Sequence, residues 1–333
     1  MHPEPGRHKG RIWPVFLPFS GCPGKCVYCS QVAVTATRPV PPEQAYKTLE
    51  SDLQGALDNG TRPLELGFFG GTFTALPAPW PQRFLALVGR FREAGLITSV
   101  RCSTRPDALA PGQVRQLAEQ GLDMIELGIQ TFHGPTLDAS GRGYDPETAH
   151  SACRAVRDAG LALGIQLLPG LPKHSPRDLG HDAAAAAQHQ PAAVRLYPCV
   201  VLKKTPLASA FRAGTYSPWA LPETVSALAA ALGIFWEQQI PVIRIGLAPE
   251  QDLQSHIIAG PWHPALGQLV RSTALFNFIR SRALLADILP TSLVAPRRYQ
   301  SDILGHKGSM RSHYQAMGIA NLDFDDHPTF RLA

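Results

Sequence analysis

Long apolar runs are missing from this 333-residue chain. Nothing approaches the roughly 20 consecutive apolar residues that cross a bilayer. The opening segment, MHPEPGRHKGR, carries no apolar core of a secretory signal. These absences predict a cytoplasmic protein without membrane association. Charge of one sign is also scarce: 31 Lys and Arg against 26 Asp and Glu leave a formal net charge of +5, which suits a polyanionic partner without requiring one. Six cysteines, three of them packed between Cys22 and Cys29, exclude the spread-out framework of a secreted disulfide protein and read as reduced thiols, some of them ligands. Sequence repeats and long flexible linkers are absent, and the only biased tract is the short alanine run Ala183 to Ala187.

What is present is a repeating alternation of helix and strand. Ile12 to Phe19 reads as a buried strand. Leu64 to Phe69, Ser99 to Ser103, Met124 to Gly128, Ala162 to Leu168, Val194 to Pro198 and Pro241 to Ile245 read as further strands. Between them lie helical stretches at Pro42 to Leu57, Pro81 to Ala94, Gly112 to Glu119, Pro146 to Ala159, the alanine run, and Pro222 to Glu237. Strands separated by helices pair in parallel through right-handed crossovers, and six or so successive units predict an α/β fold, a full or partial (β/α) TIM-type barrel. The alternation stops beyond about Pro261. A long helix near Ala265 to Leu285 then leads into a basic segment, so a barrel over 1–285 and a small C-terminal α+β extension over 286–333 are expected.

The loop after the first strand reads Gly21-Cys22-Pro23-Gly24-Lys25-Cys26-Val27-Tyr28-Cys29, three thiols spaced CxxxCxxC. Iron–sulfur clusters are held by thiolates, and three thiolates leave the fourth iron of a cuboidal cluster open to a substrate or cofactor. A structural zinc site competes with this reading, but zinc normally takes four protein ligands and no fourth Cys or His stands at matching spacing. Three unrelated buried thiols are the remaining alternative. Cys102, Cys153 and Cys199 are far apart in sequence and read as small core residues.

These residues resemble the radical S-adenosylmethionine (SAM) superfamily, whose signature is CxxxCxΦC with an aromatic at Φ, here Tyr28. The resemblance implies a [4Fe-4S] cluster on Cys22, Cys26 and Cys29. Its open iron would chelate the amino and carboxylate groups of SAM, and electron transfer would give a 5′-deoxyadenosyl radical. It also implies a reducing partner such as ferredoxin or flavodoxin, and places Tyr28 near the cluster and the adenine.

Other loops after strands carry further candidates for holding the cofactor. Gly70 and Gly71, with Thr72, let backbone approach a ligand closely and stand where the superfamily contacts the amino group of SAM. Glu126 is a charge within an apolar strand, costly without a partner, so it is either a site residue or half of a structural ion pair with an arginine such as Arg105. Arg142 can grip a carboxylate in bidentate fashion. Gln130, Gln166 and Tyr197 complete the cofactor-binding set as cavity walls.

The order CPGKCVYC, FFGGTF, STRPD, ELGIQ, GRGYD, LLPGLP, RLYP resembles in particular the radical SAM domain of the Elongator catalytic subunit and its bacterial relatives, over about Phe16 to Leu269. That resemblance implies tRNA as substrate. Two departures stand against full equivalence: too few residues follow the barrel for the acetyltransferase domain of that subunit, and Ser103 stands where the subunit usually carries Glu. In the tail, strand, helix, Gly305-His306-Lys307-Gly308, helix and strand follow the order of a KH core, whose GxxG loop clamps a nucleic-acid backbone, with Lys307 and Arg311 supplying charge. A helical turn with a capping glycine explains the same residues and is preferred. Three functions remain: a radical SAM enzyme acting on RNA, one acting on a small molecule or peptide, and a non-catalytic iron–sulfur protein.

Overall fold

Parallel strands need a covering layer on their outer face, and the apolar positions of this chain supply it. In β2 (Leu64–Phe69), Leu66 and Phe68 are buried, and the Phe68 ring lies 5.4 Å from that of Phe84 on the helix Trp80–Glu93. Glu65, Gly67 and Phe69 alternate with them on the opposite face. The structure, a computed structural model, describes residues 4–6, 10–24, 26–247 and 253–333; Lys25 of the cysteine loop lies outside them. Besides β2 the strands are β1 (Ile12–Phe16), β3 (Ile97–Thr104), β4 (Met124–Gln130), β5 (Ala162–Leu167), β6 (Ala193–Leu196), β7 (Val201–Leu202), β8 (Val242–Ile245) and β9 (Ile257–Ala259). Seven of them form one all-parallel sheet in the order β1-β2-β3-β4-β5-β6-β8. The order of pairing is that of a barrel, but β1 and β8 remain its two edges, so the sheet is a curled half-barrel and not a closed one. β7 and β9 pair separately as an antiparallel ribbon.

Local chemistry sets the boundaries. β1 stops at Phe16, short of the expected Phe19, because Pro18 has no N–H to donate and Phe19 turns at φ +60°. The helix Pro146–Asp158 starts at Asp145, whose carboxylate accepts from the Thr148 N–H. The helix Pro176–Gln188 starts at a capping box of Ser175 and Asp178. Each helix also carries proline in its first turn, where the missing N–H costs nothing.

After the helix Leu266–Leu285 come β10 (Ser292–Pro296), β11 (Asn321–Asp325) and β12 (Arg331–Leu332). β10 pairs in parallel with β11 and antiparallel with β12. The helix expected from Arg297 is a 3₁₀ turn at Arg297–Tyr299 followed by a short helix, Gln300–Leu304. The last long strand begins at Asn321, because the backbone N–H of buried Ile319 is taken by the Tyr314 carbonyl at the end of the preceding helix and not by a neighbouring strand. Tyr314 packs edge-on against Phe276 at 5.2 Å, joining this segment to the core of the barrel helices. Among the described residues, no helix is long and apolar enough to cross a membrane.

Candidate active site

Two loops interlock above the sheet. The Phe19 N–H donates to the Gly70 carbonyl at 2.9 Å, and the Thr72 N–H donates to the Ser20 carbonyl at 2.8 Å. A Cβ on Gly71 would stand 2.4 Å from the Ser20 oxygen and 2.6 Å from that of Leu17; Gly21, at φ +74°, would collide with the Thr72 carbonyl. Glycine is therefore required at both positions for the cysteine loop and the Gly-Gly loop to touch. Together they roof a cavity of about 580 Å³ that all three cysteines, Cys22, Cys26 and Cys29, line.

Each of these thiols meets a polar side chain. Thr72 Oγ1 lies 3.2 Å from Cys22 Sγ, Gln31 Nε2 donates to Cys29 Sγ at 3.5 Å, and Cys26 Sγ receives Arg142 Nη1 at 3.3 Å and Arg105 Nη1 at 3.5 Å. Donors of this kind, two of them cationic, favour sulfur that carries negative charge. Burial, reinforced by the charge of Cys26, pushes the Cys29 thiol up to about 11, so an electrophilic metal is needed to hold it as thiolate near neutrality. Among the described residues no three His, Cys, Asp or Glu side chains converge as ligands of a single ion would. A cluster takes one thiolate per iron and asks only that the thiols ring a common space. The donor set fits an anionic iron–sulfur cluster.

Arg142 is 4% exposed. Its guanidinium donates to Cys26 Sγ, to Tyr28 Oη at 3.3 Å, to Tyr144 Oη at 3.0 Å and to the Gly128 carbonyl. A grip on a ligand carboxylate would compete with these bonds; as it stands, Arg142 fixes the cysteine loop and the ring of Tyr28. Burial raises Tyr28 well above its ordinary pKa, although the Arg142 charge opposes the shift.

The inner face of the sheet is polar. In register across the strands lie Ser103 beside Glu126, then Gln166 beside Arg195 beside Arg244. Glu126, 1% exposed, accepts from Arg195 at 2.7 and 3.0 Å, from Gln166 at 3.0 Å and from Arg101 at 3.2 Å, and Arg101 also pairs with buried Glu65. Burial alone would raise the Glu126 carboxyl, but the charge of Arg195 and these bonds hold it below its ordinary value.

Of the candidates from sequence, Tyr28, Gly70, Gly71, Thr72, Gln130, Arg142, Gln166 and Tyr197 all line the cavity. Glu126 lies behind that lining and reaches the cavity through Arg195 and Gln166. Its suggested partner Arg105 is corrected: Arg105 sits beyond the end of β3 and forms a forked pair with Asp107 at 2.9 and 2.8 Å, while the partners of Glu126 are Arg101 and Arg195. Gln31, Ser103, Arg195 and Arg244 also line the cavity and were not assigned from sequence. The signal for Arg195 and Arg244 was the alternation of single polar residues with apolar ones in Val-Arg-Leu and Ile-Arg-Ile. Lys307 and Arg311 are exposed. Between them and the preceding helix, Gly305 ends that helix at φ +71°, and His306 turns back onto Gln268 at 3.3 Å and onto the His263 ring at 5.3 Å.

The family profile of the radical SAM superfamily matches residues 16–185, just over half of the chain, and that of the radical SAM C-terminal domain matches residues 191–274. The chain belongs to the radical SAM superfamily. Among relatives of this radical SAM enzyme, a tRNA uridine(34) acetyltransferase of Methanocaldococcus jannaschii is 24% identical over 342 residues, covering 89% of this chain and 61% of the relative. One of Dehalococcoides mccartyi is 28% identical over 231 residues, covering 60% of this chain and 50% of the relative. Human Elongator complex protein 3 is 22% identical over 198 residues, covering 54% and 36%. The chain thus spans less than two thirds of the length of these relatives. Its fold is similar to that of the archaeal Elp3 of Methanocaldococcus infernus, with a TM-score of 0.60 at 20% identity over 83% of this chain and 64% of that one. It is also similar to coproporphyrinogen III oxidase of Escherichia coli, with a TM-score of 0.53 at 18% identity over 71% and 54%.

Proposed function

We propose that this radical SAM enzyme holds a [4Fe-4S] cluster on Cys22, Cys26 and Cys29, binds SAM in the adjoining cavity, and modifies RNA, specifically tRNA. The observation that carries the reading is the set of three thiols lining one cavity, each met by a polar side chain. When bound, the cluster supplies the electron that cleaves SAM reductively to a 5′-deoxyadenosyl radical. The chain's own residues do the rest. Arg105 and Arg142 offset the sulfur charge at Cys26, while Gly70, Gly71 and Thr72 present close backbone to the ligand. Tyr28, Gln130, Gln166 and Tyr197 wall the space and exclude water from a reactive species. The required electron comes from a small carrier of the ferredoxin or flavodoxin type. RNA as substrate is supported by the names of the tRNA-modifying relatives and by the mildly basic composition.

Anaerobic reconstitution tests the reading. Wild-type protein should bind about four irons per chain and, with reductant, release 5′-deoxyadenosine from SAM. Cys22→Ala, Cys26→Ala and Cys29→Ala should each lose both. Iron binding without 5′-deoxyadenosine would leave a non-catalytic iron–sulfur protein. Turnover that leaves the mass of tRNA nucleosides unchanged would move the substrate to a small molecule or peptide.

A further inference from the structure

Arg244 is the last member of the inward polar row. It lies in lateral register with Arg195, and two like charges side by side on one face of a sheet repel. Arg195 is neutralised by its forked pair with Glu126. Among the described residues Arg244 meets no carboxylate, and its Nε donates to the Gly246 carbonyl at 3.0 Å. The row's two carboxylates, Glu65 and Glu126, are already matched by Arg101 and Arg195, so among the described residues Arg244 is the cation of the row without a carboxylate, and it faces the cavity. Tyr197 lines the same cavity. Burial raises that phenol's pKa, and the charge of Arg195, with a smaller contribution from Arg244, opposes the rise. The Tyr197 hydroxyl also accepts from Arg195 Nη1 at 3.4 Å. Phe16 and Phe69 line the same space with apolar rings.

A guanidinium without a carboxylate and a phenol hydroxyl, in one cavity with apolar walls, are complementary to one compact anionic group. We infer that Arg244, Tyr197 and the adjoining face of Arg195 form an anion subsite that orients the molecule attacked by the radical through a carboxylate or phosphate of that molecule. The inference rests on the reading above, in which SAM places its own carboxylate at the cluster. It adds that a second, anionic group enters the cavity from the side of β8.

Phenylglyoxal, which modifies unpaired arginines, reports the site without turnover. In full-length reconstituted protein with SAM bound, Arg244 should label quickly and Arg195, paired to Glu126, slowly. Malonate or inorganic phosphate should slow labelling of Arg244 about tenfold, the value of one charge-assisted contact. Protection by malonate alone assigns a carboxylate, and protection by phosphate alone assigns a phosphate. The inference is overturned if neither protects, or if adding SAM alone already shields Arg244, which would make the arginine part of the SAM site. Arg244→Gln should abolish, and Arg244→Lys partly restore, calorimetric binding of the protecting anion. Anion protection in a protein that leaves tRNA unmodified would retain the subsite and reject RNA as substrate; modified tRNA without protection would do the reverse.

Discussion

Glu126 shows how far a single residue carries its own explanation. A carboxylate inside Met-Ile-Glu-Leu-Gly-Ile is costly enough that a partner has to exist, and that much is legible from composition. Which partner is not, because Arg101 and Arg195 stand 25 and 69 positions away and meet Glu126 only when the strands align. The same limit hid Arg244, whose neighbour in space is Arg195. Removing one member of a buried ionic network leaves its partners charged and unpaired. Glu126→Gln should therefore cost about 3–5 kcal/mol in urea unfolding. Glu50→Gln, at the exposed pair with Arg90, should stay within about 0.5 kcal/mol. The pH dependence follows from the sign of the shift. The Glu126 pKa is lower in the folded state, so its contribution is complete above the ordinary carboxylate pKa and is lost as pH falls through the depressed folded value. Wild type should lose stability on acidification below about pH 4.3, and Glu126→Gln should lose less over the same interval.

At the scale of elements, strands and helices followed directly from apolar spacing and proline. β2 spans Leu64–Phe69 as read from the sequence, and the helix Pro42–Asp58 ends one residue beyond its expected end. The cysteine loop was legible as a ligand set because thiol spacing is itself a geometric statement. Its lock onto the next loop was not, since that depends on Gly71 lying against two carbonyls contributed from residues 17 and 20. Gly71→Ala tests the lock: a Cβ placed there forces the loops apart, which should cost about 1–3 kcal/mol and displace Thr72 from Cys22. Iron content after reconstitution should fall well below that of wild type. Gly24→Ala, in the same cysteine loop but with nothing within 4 Å of the added atom, should load iron normally. Equal loading by both variants would show that the touch between the loops is dispensable.

For the whole molecule, the question is where an RNA would lie. The β-α-GxxG-α-β order was readable in the tail, but the closed turn is explained by Gly305 at a helix end and by His306 packed inward against Gln268 and His263. Lys307 and Arg311 nonetheless remain on the surface, where they can attract phosphates at long range. Their joint neutralisation, Lys307→Gln with Arg311→Gln, should weaken tRNA binding only a few-fold. The slope of log affinity against log salt should fall by about 0.7–0.9 for each phosphate that the variant no longer neutralises. A slope unchanged by the double variant would remove RNA from this face. Abolished binding would make the loop a principal clamp, as in a KH domain. The shallow expected change distinguishes a basic surface that would gather tRNA from a site that would grip it.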